Sequence, residues 1–367
     1  MTGSVTRDTL KVDDGLSRSD ASIVRGNNAQ PRATLADVGK LAGVSSKTVS
    51  RVMLSDKRVA EATRERVLAA ARTLRFRPNQ LASSLRQGST TNVIAFVIGD
   101  LTNPFYALVA AGAERELARH GLMMILASTD DDPNSEERVV ETLLRQRVRA
   151  LIMVPISQDQ SYLEGERQLG TPVICVDRPA HNLIADSVVL DNRNGMAKAV
   201  RELTGIGHRR IAFISSPVGL YTDQQRLAGY QDALREAGIA TSSELVQFPQ
   251  VYGTVAESVK ELMALPEPPT ALVAANNKIS SIVIHALQNR LDSVAFVGFD
   301  DFELADLTDI SVVAYDAAEL GREAARLAVA RIEDPVGPPA HLQIPTTLIA
   351  RGSGEKHPNV APQELAH

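Results

Sequence analysis

The spacing of apolar residues between positions 33 and 77 predicts three short helices. Apolar side chains recur there every three or four residues, which is typical of amphipathic helices. On the first helix, Leu35, Val38 and Leu41 share one face. The three helical segments are TLADVGKLAGV, VSSKTVSRVM and EATRERVLAAARTL.

The junction between the first two helices has the residues of a tight turn. Thr34 and Asp37 can form a capping box at the start of the first helix. Gly43 can adopt the left-handed conformation that ends a helix, and Ser45 can cap the next one. Residues 42–44 alone therefore separate the two helices.

After residue 91 the pattern changes to short apolar runs, which predict buried strands. Helix-length amphipathic segments such as PFYALVAAGAERELARHG alternate with these runs, and this alternation predicts parallel sheets covered by helices on both faces. Seven strands over about 250 residues favour two α/β lobes over one. The predicted strands are NVIAFVIGD, LMMILAST, ALIMVP, PVICVD, RRIAFISS, TALVAAN and VAFVGFD.

Charge is distributed unevenly along the chain. Residues 33–90 hold eleven Lys and Arg against four Asp and Glu, a charge of +7. The whole chain carries −5 and residues 1–32 carry +1, so the remainder carries −13. A small basic part on a large acidic body indicates a polyanionic partner for the basic part alone.

Composition excludes several classes of protein. The single Cys175 rules out an internal disulfide and a cysteine-based metal cluster. No apolar run approaches the length of a membrane span, and the first residues lack the basic start and apolar block of a signal peptide. We expect a cytosolic protein without a metal or cofactor, and disorder in the polar residues 1–32.

The two helices around the glycine turn are typical of a helix-turn-helix. Such a turn places the second helix outward, where it can enter the major groove of DNA. Its outward positions are Ser46, Lys47, Ser50 and Arg51, whose groups donate to base edges or phosphates. The alternative is a surface helical hairpin with solvated charges.

The motifs together resemble the lactose-repressor/galactose-repressor family of bacterial transcription regulators. The resemblance runs through TLADVGKLAGVSSKTVSRVM, RFRPNQLASSLRQG, LTNPFYALVAAGAE, VDRP, LDNRNG, GHRRIAFIS, RLAGYQDAL and VGFDD, and covers roughly residues 33–354. It implies an all-α helix-turn-helix headpiece, a hinge helix, and a two-lobed α/β core like that of periplasmic sugar-binding proteins, with parallel sheets and helices on both faces.

The resemblance also implies a domain division. We expect the headpiece over 33–77, the hinge over 78–90 and the core over 91–354. Lobe 1 would span about 91–190 plus a late return segment, and lobe 2 about 191–315 plus a C-terminal segment. A flexible tail would occupy 355–367.

The family match assigns a role to the helix-length segment NQLASSLRQ. In this family the corresponding segment folds as a hinge helix on the operator, and the residue matching Leu85 wedges into the minor groove, where an apolar wedge unstacks a base step. The alternative is a linker with an incidental leucine. The expected DNA-binding residues are Thr34, Ser45, Ser46, Lys47, Thr48, Ser50, Arg51, Asn79, Leu81, Ala82, Leu85 and Arg86.

Polar residues follow several predicted strands, where parallel sheets bind ligands. Carboxylate, amide and guanidinium groups that converge there suit a hydroxyl-rich ligand. For Asp100 and Asp130 we favour helix capping instead, and for Asp177 the two roles are balanced. By resemblance, the effector-binding residues are Asn103, Phe105, Tyr106, Asp177, Arg226, Asn276 and Asp300.

The chain departs from the family pattern at positions near these residues. Asn277 follows Asn276 where the family usually has Asp, and Tyr315 stands where Gln is usual. The chain has no Trp, so any ring that stacks on a sugar is Phe or Tyr. Candidates are Tyr221, Phe248 and Tyr252. The identity of the effector stays open.

The sequence favours a dimeric repressor that binds a pseudo-palindromic operator and responds to a small ligand, for which we expect a carbohydrate. The tail HPNVAPQELAH lacks a leucine heptad, so a homodimer is expected, without membrane contact. A solute-binding protein with the same core is the alternative, and the basic headpiece argues against it. An enzyme is disfavoured because no nucleophile–base pair, metal motif or phosphate loop is present.

Overall fold

The computed structural model describes residues 33–54, 56, 58–77, 91–216 and 219–358. Contacts within the chain divide it into two units, Met1–Gln87 and Gly88–His367. The expected disordered extension over 1–32 and hinge over 78–90 lie outside the described residues.

The first unit contains the three predicted helices, α1 (Leu35–Ala42), α2 (Ser46–Met53) and α3 (Glu61–Thr73). The predicted caps and turn are present. Thr34 and Asp37 form a capping box, Gly43 is left-handed at φ 68°, and the Ser45 hydroxyl accepts the backbone N–H of Thr48. The turn between α1 and α2 thus has the tight geometry that its sequence indicated.

The buried face of α1 differs from the prediction at one position. Leu41 was expected to face inward but is 53% exposed, whereas Gly39 and Ala42 are buried. A Cβ atom added at Gly39 would lie 2.7 Å from the carbonyl oxygen of Val44, so α1 and the turn approach most closely at this glycine. The remaining core consists of Val38, Val49, Val52, Val67, Ala70 and Ala71.

Twelve strands lie in the described part of the second unit. They are β1 (Val93–Ile98), β2 (Met123–Ser128), β3 (Ala150–Met153), β4 (Val173–Asp177), β5 (Asp186–Leu190), β6 (Ile211–Ile214), β7 (Val246–Gln247), β8 (Ala271–Ala274), β9 (Ala295–Phe299), β10 (Ser311–Ala314), β11 (His341–Ile344) and β12 (Thr347–Ile349). The seven predicted strands correspond to β1–β4, β6, β8 and β9.

Eight α-helices accompany these strands in the described residues. They are α4 (Pro104–Arg119), α5 (Pro133–Leu144), α6 (Glu164–Gln168), α7 (Asn192–Gly205), α8 (Tyr221–Glu236), α9 (Val255–Met263), α10 (Asn277–Leu287) and α11 (Ala317–Glu333).

The strands form two six-stranded sheets, one in each lobe. Lobe 1 has the order β11-β5-β4-β3-β1-β2, with all neighbours parallel. Lobe 2 has the order β12-β10-β9-β8-β6-β7, parallel except for the antiparallel pair β10 and β12. Buried apolar clusters pack against both faces of each sheet. The expected fold of two parallel-sheet α/β lobes is confirmed.

The described chain passes between the lobes three times. It leaves lobe 1 after β5, returns between β10 and α11, and leaves again after β11. The return segment adds an edge strand to lobe 1, where His341 pairs with Ser187. These crossings place strand ends from both lobes beside one another.

Helices α4 and α11 pack closely in lobe 1 because glycines lie where they cross. A Cβ atom added at Gly112 would lie 1.9 Å from the carbonyl oxygen of Ala318. One added at Gly321 would lie 1.9 Å from that of Val109. This packing fixes α4, whose first turn carries Phe105, against the segment that returns from lobe 2.

Two residues expected in the flexible tail are bonded to lobe 2. Glu355 accepts a hydrogen bond from the hydroxyl of Ser311 at 2.8 Å, and the carbonyl oxygen of Lys356 lies 2.7 Å from Nε2 of His208. The tail expectation is therefore wrong for residues 355 and 356, because buried polar groups of lobe 2 need these partners. Within the described ranges, the helices all fall short of the length and apolarity required to cross a membrane.

Candidate functional site

The exposed face of α2 carries the predicted DNA-contacting side chains. Ser46, Lys47 and Arg51 are exposed, and Thr48 and Ser50 are partly exposed. Val49 and Val52 on the opposite face are buried, so the helix can touch a partner only through its polar side.

Ser45 and Thr34 combine exposure with a role in helix capping. The Ser45 hydroxyl lies 3.0 Å from that of Thr48, and Thr34 bonds to Asp37. The hydrogen bonds from Thr34 lower the pKa of Asp37. The expected hinge contacts Asn79, Leu81, Ala82, Leu85 and Arg86 lie outside the described residues.

All seven residues expected to bind the effector line one cavity, which we call the cleft. The cleft has a volume of about 50 Å³ and lies at the carboxyl ends of strands from both lobes. Ligands of parallel sheets bind at such edges. The lining residues are Asn103, Phe105, Tyr106, Asp131, Asp177, Arg178, Leu220, Thr222, Asp223, Arg226, Tyr252, Asn276, Lys278, Asp300 and Tyr315.

On the lobe 2 side, Arg226 is held by protein groups. Its Nε donates to Asn192 at 2.8 Å, and its Nη1 donates to the carbonyl oxygen of Ala275. Its Nη2 lies 3.6 Å from Asp300, and its guanidinium lies 3.7 Å from the ring centroid of Phe299. These contacts fix the orientation of the guanidinium in the wall of the cleft.

Asp300 is also engaged by protein groups. Its Oδ1 accepts a hydrogen bond from the hydroxyl of Tyr315 at 2.7 Å, and its Oδ2 accepts the backbone N–H of Asn277 at 3.1 Å. Burial, with the nearby Asp300 carboxylate, raises the pKa of Tyr315, so its hydroxyl stays protonated and donating.

On the lobe 1 side, Arg178 follows Asp177 directly and is buried with it. Arg178 donates from Nη2 to Asp177 at 3.0 Å and to the Tyr106 hydroxyl at 3.1 Å. Both members of the ion pair have side chains less than a tenth exposed. Burial raises the pKa of Tyr106, which keeps the phenol neutral beside Arg178.

Two buried atoms in lobe 1 have no hydrogen-bond partner within the described residues. They are Oδ1 of Asp131 and Nη1 of Arg178, and both residues line the cleft. Burial raises the pKa of Asp131. Buried polar groups are nearly always bonded in native proteins. An unpartnered acceptor and donor at one cavity therefore suit a ligand that supplies both kinds of group.

Three aspartates of the cleft have left-handed backbones. Asp177 and Asp300 each have φ 72°, at matching strand ends of the two lobes, and Asp131 has φ 54°. Non-glycine residues seldom adopt this region, and those that do concentrate at functional sites. The backbone thus turns these carboxylates toward the space between the lobes.

The caps differ from those expected at the strand ends. Asp100 and Asp130 were expected to cap the following helices, but the N-caps of α4 and α5 are Asn103 and Asp132. Hydrogen bonds from Lys278 and Thr102 lower the pKa of Asp100, although its burial opposes them. The sequence did not indicate this because the ion pair joins residues 178 positions apart.

Asn276 both lines the cleft and caps α10, where its Oδ1 accepts the N–H of Ile279 at 2.9 Å. Its amide oxygen has a second acceptor position and its amide nitrogen has two donors, so the side chain can cap α10 and still bond to a ligand.

The acidic run TDDDPNSEE after β2 is, as a sequence, typical of a solvated helix start rather than a metal site. Instead Glu136 is fully buried and accepts hydrogen bonds from Ser157 N–H at 2.9 Å and Tyr162 at 3.0 Å. Asp131 of the same run lines the cleft. The expectation is wrong for both, because tertiary contacts supply partners that local sequence cannot show.

Of the three rings considered for stacking on a sugar, Tyr252 lines the cleft, and Tyr221 and Phe248 are not among its lining residues. Several other lining residues were not among the expected effector contacts: Asp131, Arg178, Leu220, Thr222, Asp223, Lys278 and Tyr315. Arg178 had the clearest signal, since it adjoins Asp177 at the same strand end. The sequence contained no signal for Lys278, because this residue reaches the cleft from the first turn of α10.

A second cavity, of about 90 Å³, lies at the amino ends of β4 and β5. In its wall the partly buried Arg331 pairs with the buried Asp186 at 2.7 Å, and Arg331 also donates to the carbonyl oxygen of Pro338. Arg167, the other charged residue of its lining, is bonded to Glu164 at 2.7 Å. The charged groups of this cavity thus have protein partners, unlike the two unpartnered atoms of the cleft.

The fold and cleft define a two-lobed binding core in a chain that also carries a helix-turn-helix unit. Comparison with known families agrees. The model of bacterial regulatory proteins of the lacI family matches residues 34–79. The model of periplasmic binding proteins and the sugar binding domain of the LacI family matches residues 91–352. The chain belongs to the LacI family of bacterial regulatory proteins, which confirms the resemblance seen in the sequence.

Named relatives and solved structures extend the match. The ribose operon repressor of Escherichia coli K12 is 32% identical over 330 residues, covering 88% of this chain and 99% of the relative. A complex of the transcriptional regulator CelR with cellobiose is 30% identical, with TM-score 0.64, covering 88% and 100%. A lac repressor dimer bound to operator has TM-score 0.78 at 22% identity, covering 88% and 99%, and shows the fold.

Proposed function

We propose that this chain is a sequence-specific repressor whose affinity for operator DNA is controlled by a small sugar bound in the cleft. The observation that carries the proposal is the convergence of polar side chains from both lobes on one cavity, in a chain that also has a helix-turn-helix unit. The names of the relatives support the assignment, since they include a repressor of a sugar operon and a regulator complexed with a disaccharide.

The DNA-binding role rests on α2. Its exposed face offers hydroxyl donors from Ser46 and Ser50 and cationic donors from Lys47 and Arg51. An Arg that reaches the major groove bonds guanine in a bidentate manner, and the first turn of a recognition helix is the part that reads base edges. Lys47 lies in the first turn of α2 and Arg51 in its last turn, and both are exposed. We propose that Lys47 and the longer side chain of Arg51 specify sequence, and that Thr34 and Ser45 position the helix on phosphates.

The effector role rests on contacts between the lobes. Asn277 of lobe 2 donates to Asn103 of lobe 1 at 3.0 Å, and the ring centroids of Phe105 and Tyr315 lie 5.9 Å apart. A ligand that bonds to both walls stabilises the state in which these contacts are made. The effector would thus shift the equilibrium between arrangements of the two lobes toward the one in which these contacts are made.

A homodimer is proposed through the edge of lobe 1. Strand β2 is the outer strand of its sheet, and Met123, Ile125 and Leu126 on it are 58%, 39% and 38% exposed. Native proteins seldom leave an apolar edge strand uncovered. Because paired helix-turn-helix units read palindromic half-sites, a second copy of this chain is the partner that the edge suits.

Selection of genomic fragments by the full-length chain tests the DNA-binding role. The expected result is enrichment of a pseudo-palindromic site near genes of sugar uptake or metabolism. Enrichment that follows base composition, without a shared site, would contradict sequence-specific binding.

A further inference from the structure

The chemistry of the cleft restricts the effector more narrowly than the family does, and Tyr315 is central to this restriction. This inference rests on the proposed function of the cleft as an effector site. Tyr315 stands between β10 and α11, where the chain returns from lobe 2 to lobe 1. Its ring packs against apolar clusters of both lobes, with centroid distances of 5.9 Å to Phe105 and 6.3 Å to Phe299.

The hydroxyl of Tyr315 occupies a hydrogen-bond acceptor position of Asp300 that would otherwise be open to a ligand. A carboxylate accepts about four hydrogen bonds. Asp300 already accepts from Tyr315 and from the Asn277 N–H, and lies 3.6 Å from Arg226. The lobe 2 wall therefore has few free positions, and the unpartnered atoms lie on the lobe 1 wall, at Asp131 and Arg178.

The space beside Tyr315 is small. The cleft volume of about 50 Å³ corresponds to room for roughly four water molecules, at about 10–15 Å³ each. A single sugar ring can replace such a cluster with a modest opening of the lobes. A second ring would have to displace Tyr315, whose ring is held by Phe105 and Phe299 and whose hydroxyl is bonded to Asp300.

The charges of the cleft argue against an anionic ligand. Each of its three cations has a carboxylate partner: Arg178 with Asp177 at 3.0 Å, Arg226 with Asp300 at 3.6 Å, and Lys278 with Asp100 at 2.5 Å. The cleft lining also has four carboxylates, Asp131, Asp177, Asp223 and Asp300, against these three cations. A phosphate would therefore add negative charge beside carboxylates that already outnumber the cations. Hydroxyl groups can instead bond to Asp131 and Arg178 and leave every pair intact.

We propose that the effector is a single, uncharged sugar ring, and that Tyr315 is the residue that excludes a second ring. The free Arg178 Nη1 donates to one hydroxyl of this ring, and the free Asp131 Oδ1 accepts from another. The two aromatic neighbours of Tyr315 hold it against displacement.

Isothermal titration of the full-length chain tests the size limit. The probes are neutral pentoses and hexoses including D-ribose and D-galactose, the two-ring sugar cellobiose, and the anion fructose 1-phosphate. A neutral single-ring sugar is expected to bind at least tenfold tighter than cellobiose and fructose 1-phosphate. In Tyr315→Gln the preference over cellobiose is expected to fall at least tenfold, since the ring that blocks the second sugar is gone.

Two further variants distinguish the role of the Tyr315 ring from that of its hydroxyl and from a general effect on packing. Tyr315→Phe keeps the ring and is expected to keep the preference over cellobiose. Tyr230→Phe removes a tyrosyl hydrogen bond of similar length, 2.8 Å to Ile211, inside lobe 2 and outside the cleft lining, and is the matched control. Circular dichroism melting shows whether each variant folds. If Tyr315→Gln does not, Tyr315→Leu makes the same test.

The outcomes separate this inference from the proposed function. Tighter binding of cellobiose or fructose 1-phosphate by the unmodified chain would overturn the inference and leave an effector-controlled repressor. A preference that changes less than twofold in the folded Tyr315 variant would overturn the role of that residue. Binding of none of the probes would contradict both the inference and a sugar effector.

Discussion

Lys278 of lobe 2 pairs with Asp100 of lobe 1, with 2.5 Å between Nζ and Oδ2. The preceding residue, Asn277, bonds to Asn103 in the same loop of lobe 1. The Lys278 ammonium also lies 5.3 Å from the ring centroid of Tyr252. Two successive residues at the start of α10 thus join the lobes beside the cleft, so lobe closure and effector binding depend on a common set of contacts.

Breaking this ion pair should weaken effector binding. Lys278→Met is expected to lower effector affinity about fivefold, near 1 kcal/mol, because the pair is partly exposed and such pairs contribute little more. Titration calorimetry with the effector measures the change, and Lys260→Met, an exposed lysine of α9, is the control. Equal affinity in both variants would show that the pair does not support the closed cleft.

Arg51 should contribute to sequence recognition. Arg51→Ala is expected to weaken operator binding by about 1–3 kcal/mol and to relax one base position, because a bidentate contact to guanine is lost. Fluorescence anisotropy with operator and random duplexes measures both effects. Arg66→Ala, which removes an exposed arginine from α3, should lack the specific loss. Equal losses on both duplexes would identify Arg51 as a phosphate contact.

Asp300 should be required for the effector response. Asp300→Asn is preferred to Asp300→Ala because an amide oxygen can still accept from Tyr315, whereas truncation leaves the hydroxyl of Tyr315 without its acceptor. The variant is expected to bind operator and to lose at least tenfold in effector affinity. An unchanged effector response in the folded variant would remove Asp300 from the site.

Local patterns were sufficient to predict the headpiece and most of the sheet strands. The capping box at Thr34, the left-handed Gly43 and the Ser45 cap depend on neighbouring residues, and all three are present. The buried strands β1 and β4 are continuous apolar runs, which the sequence shows directly. By contrast, β11 alternates polar and apolar residues and pairs with a strand about 150 residues earlier, so only the folded chain reveals it.

Only part of the cleft could be predicted from the sequence, because residues that are distant along the chain complete it. Strand-end residues such as Asp177 and Asp300 follow from parallel-sheet geometry together with the family resemblance. Lys278 contacts the opposite lobe, at Asp100, and no spacing along the chain encodes the approach of the two lobes. The role of Asn276 as a helix cap also depended on where α10 begins.

The raised pKa of Asp131 should make stability depend on pH. Burial raises this pKa from 3.8 in the folded chain, so the folded state holds a proton that the unfolded state has lost. The free energy of unfolding should therefore fall as pH rises from about 3.8 through the folded pKa.

Asp131→Asn should remove this contribution, and urea titrations at several pH values would detect it. The free energy of unfolding of this variant should still depend partly on pH, because burial raises the pKa of Asp223 as well. Asp130→Asn, at the exposed neighbouring position, is the control. Parallel pH profiles for Asp131→Asn and the unmodified chain would contradict the assignment.

The hinge role of Leu85 lies outside the described residues and stays a prediction from the family resemblance. Leu85→Ala is expected to lower specific affinity roughly tenfold and to reduce the DNA bend, because less apolar wedge remains to offset base unstacking. Non-specific binding should change little, since it depends on phosphate neutralisation. Gel-shift bending assays and thermal melting measure these effects, with Leu68→Ala as control. A lower melting point with an unaltered bend would make Leu85 a packing residue.

Control of DNA affinity by a ligand in the cleft is the property on which the proposed function depends. Its most direct test is the dissociation constant of the full-length chain for its selected operator, measured by anisotropy at fixed salt with and without a saturating neutral single-ring sugar that binds the cleft. The dissociation constant should change at least tenfold with the sugar, which corresponds to a coupling free energy of about 1.4 kcal/mol, and should not change in Asp300→Asn. An operator affinity that stays the same while the sugar occupies the cleft would show that the cleft does not control DNA binding.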